Sequence, residues 1–94
     1  MWLIEKLNKP LGAVDVKEGT DVWRQQPHEK LGDVKRVLLD AASGRVQAFV
    51  IRRGVLQKHD VVLPTRYVSE LFDDLIRVDI SDAELDQLRE YEDR

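Results

Sequence analysis

A chain of 94 residues with 43% hydrophobic and 35% charged side chains has room for one compact core and little beyond it. Its 15 basic and 18 acidic side chains give a formal net charge of -3, which excludes a wholesale polyanion binder, and the lack of cysteine excludes disulfides, thiolate metal sites and a cysteine nucleophile. The longest apolar runs, Met1 to Ile4 and Ala48 to Ile51, span four residues against the roughly 20 a membrane helix needs, so the expectation is a cytoplasmic protein without membrane insertion.

The opening stretch is apolar at Trp2, Leu3, Ile4 and Leu7, which gives it a sticky face. Glu5, Lys6 and Lys9 interrupt any signal-peptide core, and Pro10 with Gly12 ends whatever precedes them. From Lys17 to Leu63 short strands alternate with turn residues, the pattern of a small β-barrel or sandwich. Thr20 to Arg24 is a β-branched and aromatic run that stops before Pro27. Leu31 to Leu39 is the second strand. Its apolar positions change parity between Val34 and Val37, which a strict period of two forbids, so a bulge is expected there, with Gly32 allowing a bend.

Asp40-Ala-Ala-Ser-Gly44 reads as a hairpin turn, because Asp40 can accept from the following backbone and Gly44 tolerates a positive φ. Val46 to Ile51 is apolar on both faces, as a central strand is. A loop from Gly54 to His59 leads into Asp60 to Leu63, closed by Pro64. In Leu75 to Ile80 the side chains of Ile76, Val78 and Ile80 point one way and Arg77 and Asp79 the other, the signature of a half-buried strand.

The last segment changes period. Ser81-Asp-Ala-Glu84 forms a capping box, with Ile80 and Leu85 in the hydrophobic-staple positions around it. Leu85, Leu88 and Tyr91 recur at a spacing of three, predicting a helix of about a dozen residues that must dock to be stable. Charge is uneven along the chain: Met1 to Arg66 holds 12 basic and 8 acidic residues, net +4, whereas Tyr67 to Arg94 holds 3 and 10, net -7. An acidic end that pairs with a basic body, within one chain or between two, is the expected consequence.

The run Lys30 to Asp40, then Ser43-Gly-Arg-Val46, Ala48 to Arg53, Asp60 to Pro64 and Tyr67-Val68 resembles the PRC-barrel family. That family is named for the H subunit of the photosynthetic reaction centre and also supplies the C-terminal half of a ribosome maturation factor. The resemblance covers roughly residues 17 to 80. It implies a mainly β fold, a small PRC-type barrel of about six strands, here with a short C-terminal α-helix. The expected organisation is an N-terminal extension at 1–16, the barrel at 17–80 and an acidic helix at 81–94. The resemblance implies an interaction module and carries no catalytic residue set. This chain departs from the family at the first hairpin, where Pro27-His28-Glu29 stands in place of a glycine turn.

The candidate chemistry is sparse. His28 and His59 sit in predicted loops beside Glu29 and Asp60, and adjacent residues on a strand do not share a face. None of Ser43, Ser69 and Ser81 lies in a nucleophile elbow, no glycine-rich phosphate loop occurs, and Asp73, Asp74, Asp79, Asp82 and Asp86 lack calcium-loop spacing. No enzyme activity, cofactor or metal is expected. A basic set of Lys35, Arg36, Arg52, Arg53, Lys58 and Arg66 could line one wall, with Trp23 and Tyr67 as stacking aromatics.

The reading is therefore a non-enzymatic protein interaction or assembly module that self-associates, a dimer being favoured. Trp2, Leu3 and Ile4 are its expected apolar anchors, and Arg52, Arg53, Lys58 and Arg66 its charged partner-binding residues. Arg52 and Arg53 are expected to face carboxylates of the last helix. The alternatives are RNA or ribosome-associated binding through the basic wall, and an accessory subunit of a photosynthetic or electron-transfer complex.

Overall fold

The structure is a computed structural model and describes residues 16–54 and 56–92. Strands β1 (Asp21–Gln25), β2 (His28–Leu39), β3 (Val46–Arg53), β4 (His59–Pro64), β5 (Val68–Phe72) and β6 (Leu75–Val78) form one sheet, followed by the helix α1 (Asp82–Asp86). The order across the sheet is β4-β3-β2-β1-β6-β5, antiparallel except for the parallel β1–β6 pair. One core receives Val22 from β1, Leu31 and Val34 from β2, Phe49 and Ile51 from β3, Leu63 from β4 and Ile76 from β6, and β5 packs Val68 and Leu71 against it. A flat sheet could not bring all six strands to one cluster, so the sheet is rolled with that face inward.

The expected parity change on β2 is present and has a local cause. Val34 pairs with Ile51 and Arg36 with Val50, so Lys35 is the extra residue of a bulge. A second irregularity lies between the Val22–Gly32 and Trp23–Lys30 pairs, at Leu31. Together they let Leu31, Val34 and Val37 face the core at a spacing of three. Gly32 is required for close approach: a Cβ there would overlap the Arg52 carbonyl oxygen of β3. The β2–β3 turn is the one the sequence indicates, with the Ser43 N–H donating to Asp40 Oδ2 at 2.8 Å and Gly44 at φ +73°. The first hairpin turns through a cis Gln26–Pro27 peptide, placing Gln25 opposite His28.

Three expectations change. The chain between Leu63 and Leu75 contains the strand β5, which the pattern alone did not indicate: Val68 pairs with Val78 and Glu70 with Arg77, so an extra residue at Ser69 breaks the alternation. The sheet is also not a closed ladder, because β4 and β5 lie at its two ends and do not pair. The 3-10 turn Thr65–Tyr67 crosses this seam: Thr65 Oγ1 donates to the Gln47 carbonyl of β3, and the Asp79 N–H donates to the Tyr67 carbonyl.

The third change is at the C-terminal end, where α1 stops after Asp86 instead of running for a dozen residues. Both bonds of the capping box form at its start, and Ile80 and Leu85 are buried as the staple requires. Beyond Asp86, Glu90 and Glu92 would have stood at the negative end of a longer helix dipole. The chain instead extends along β4, where the Val62 N–H donates to the Arg89 carbonyl and the Tyr91 N–H to the Asp60 carbonyl. The sheet edge supplies the partners that further helix would have supplied. The acidic segment thus docks within its own chain.

Candidate functional site

The residues singled out in the sequence do not converge. Trp2, Leu3 and Ile4 lie outside the described residues. Arg52 forms a two-pronged pair with Asp60 on the neighbouring strand, at 2.8 and 3.2 Å. Arg53 donates from Nε to the Leu31 carbonyl at 3.0 Å. Lys58 is exposed in the β3–β4 loop, and Arg66 stacks over the Tyr67 ring at 4.8 Å. Lys35 meets Glu18 at 3.3 Å, and the Arg36 guanidinium lies 5.8 Å from the Tyr91 ring centre. Within the chain, therefore, Arg52 and Arg53 do not face the last helix. Strand pairing sets Arg52 beside Asp60, a carboxylate closer in register than any on the helix.

The cation that does meet the helix is Arg24, only 5% exposed on β1. Its Nη2 contacts Asp82 Oδ1 at 2.6 Å and Glu29 Oε1 at 2.7 Å, its Nε contacts the same Glu29 oxygen at 3.0 Å, and Nη1 donates to the Ile80 carbonyl at 3.3 Å. The hydrogen bond to Asp82 raises its pKa above the ordinary arginine value against the opposing effect of burial, with Glu29 adding to the rise. The signal for this residue was in the sequence. Arg24 shares its parity on β1 with Val22, and a charge on a core-facing position has to be paired.

The outside of the barrel divides into two faces. On β2, β3 and β4 the registers align Arg36, Val50 and Val62 in one row and Leu38, Ala48 and Pro64 in the next. Val50, Val62 and Ala48 are buried although they point away from the core, because the C-terminal segment crosses over them. A groove of about 430 Å³ remains along that crossing, lined by Leu38, Ala48, Val62, Pro64, Tyr67 and Leu88 among others.

On β2, β1, β6 and β5 the opposite holds. Lys30 pairs with Trp23, Trp23 with Arg77, and Arg77 with Glu70, giving one unbroken outward row across four strands. The Trp23 ring stacks on His28 with centroids 4.8 Å apart, and the Arg77 guanidinium lies 5.4 Å from the centre of the Phe72 ring. Leu75 stands beside Phe72, which is 45% exposed. Lys30 is paired in-strand with Asp21 at 3.0 Å, and Arg77 donates to Glu70. No described segment covers this face.

A comparison with family models matches the PRC-barrel domain over residues 14–85. The chain belongs to the PRC-barrel family. No curated protein matches it. PRC-barrels are protein-interaction domains, and no described helix of this one is long and apolar enough to cross a membrane. In this PRC-barrel the remaining carboxylate shifts have structural causes. Asp60 is held below the usual carboxylate range chiefly by its hydrogen bonds from Arg52, Glu84 by the Ser81 N–H of the cap, and Asp40 by the Ser43 N–H of the turn. Among the described residues no group of three or more His, Asp or Glu side chains is arranged to hold a metal ion.

What the sequence missed in this PRC-barrel is the row Lys30, Trp23, Arg77, Glu70 with its neighbour Phe72. Trp23 stood out as a stacking aromatic, but its companions come from strands far apart in sequence. Only the parallel β1–β6 pairing brings them together.

Proposed function

We propose that the protein is a non-enzymatic interaction and assembly module whose contact surface is the outer face of β1, β6 and β5. One contrast carries this reading. The chain covers the apolar outer face of β3 and β4 with its own C-terminal segment, yet presents Trp23, His28, Phe72 and Leu75 to solvent on the other side. Aromatic side chains flanked by arginine and lysine are the composition of protein contact surfaces. The reading includes self-association as a homodimer and residence in the cytoplasm, which the lack of cysteine suits. Nucleic-acid binding through a basic wall has less support, since Lys35, Arg52 and Arg53 each spend their charge or donors on Glu18, Asp60 and the Leu31 carbonyl.

The test is capture from the native source with the full chain immobilised, beside a Trp23→Ser variant shown by circular dichroism to be folded. A defined protein, this chain or another, is retained by the wild type and lost with the variant. Equal capture by both would remove this face from the function.

A further inference from the structure

The exposed row is antisymmetric in charge. Reading across the sheet it runs Lys30 on β2, Trp23 on β1, Arg77 on β6 and Glu70 on β5, so a cation and an anion stand at its two ends with an aromatic and a guanidinium between them. The middle of the row falls between β1 and β6. Rotation of a second copy by half a turn about an axis along the strands at that point lays one row on the other in reverse order. Lys30 then faces Glu70 of the second copy, and Trp23 faces its Arg77, twice over. Charge complementarity is satisfied by the chain itself, as an isologous interface demands, and the inner pairs become cation–π contacts.

We infer that the outer face of β2-β1-β6-β5 is a two-fold dimer interface in which Lys30 pairs with Glu70 and Trp23 with Arg77 of a second copy. The inference rests on the interaction reading above and names its partner. Four strands about 4.8 Å apart and five residues about 3.4 Å apart give a face of roughly 19 by 17 Å. That is at the low end for a specific interface, so association belongs in the micromolar range. Its charge pairs lie at a surface: the Lys30 and Glu70 side chains are 46% and 50% exposed, so added salt weakens the contact.

Sedimentation of the full chain at low ionic strength tests this with K30E, E70K, the double variant and an equimolar mixture of the two single variants. Each single reversal sets like charges against one another at both ends of the interface, so each weakens association about tenfold or more. The double variant restores it, and so does the mixture, in which opposite charges meet again between unlike chains. Restoration by mixing also shows that the single variants are folded. Single reversals that associate as the wild type does, or a wild type that stays monomeric at about millimolar concentration, overturn the inference. Should that monomer still capture a different protein through Trp23, the interaction reading stands and only the self-pairing fails. Salt-sensitive binding of single-stranded RNA that is lost in Trp23→Ser, without self-association, overturns both.

Discussion

At Arg24 a full charge sits where the strand pattern asks for an apolar side chain, and its surroundings explain why it stays. One guanidinium ties β1 to the start of β2 through Glu29 and to the helix cap through Asp82 and the Ile80 carbonyl. Its partners are half or more exposed, so the arginine stem fills the wall of the barrel while its head reaches the rim. Asp60 has the simpler environment and gives the clearer pH prediction. Its folded-state pKa is depressed by Arg52, so its contribution to stability is complete above the unfolded value of about 3.9 and is lost as pH falls through the lower folded value. Thermal unfolding followed from about pH 6 to about pH 3 therefore shows a larger fall in midpoint for the wild type than for Asp60→Asn. The variant starts lower at neutral pH, and equal slopes would mean that the Arg52 pair does not form in solution.

Among the elements, the end of the chain is held by several small devices. Ser81→Ala removes the hydroxyl that accepts from the Glu84 N–H and should cost about 1 kcal/mol in urea unfolding. Because Leu85 is part of the core, the loss is expected in the main transition and not in a separate fraying step. This helix start was legible because capping is local: four consecutive residues contain both bonds. The helix length was not, because its last residues answer to β4, which lies some thirty residues earlier in sequence. The same division holds in the sheet. The Asp40 turn, the bulge after Val34 and the inward set Ile76, Val78 and Ile80 are written in neighbouring residues and were read. β5 was lost because a bulge at Ser69 destroys the alternation by which a strand is recognised. Summing charge over each half of the chain also misled, since a total cannot show that Arg52 has Asp60 beside it and that the helix is served by Arg24.

For the molecule as a whole, one core means one cooperative unit. Phe49 has no exposed surface, and truncation to alanine should cost about 4 kcal/mol, a large share of the roughly 5–15 kcal/mol available to a domain of this kind. Unfolding of Phe49→Ala watched by tryptophan fluorescence and by far-ultraviolet circular dichroism should give coincident curves at much lower denaturant. Separated curves would show that the seam between β4 and β5 divides the barrel into two units. The interaction face was the least legible feature, since it exists only where the first and last strands run side by side. The way the C-terminal residues lie along β4 also sets how far assembly can go. A bare strand border invites the next molecule, then the next, and grows into filaments; here one border is already occupied from within, and the other is short, kinked at Ser69 and marked by Glu70. Growth by strand addition is thereby discouraged, and what remains for joining is a flat patch that is used up as soon as two molecules meet.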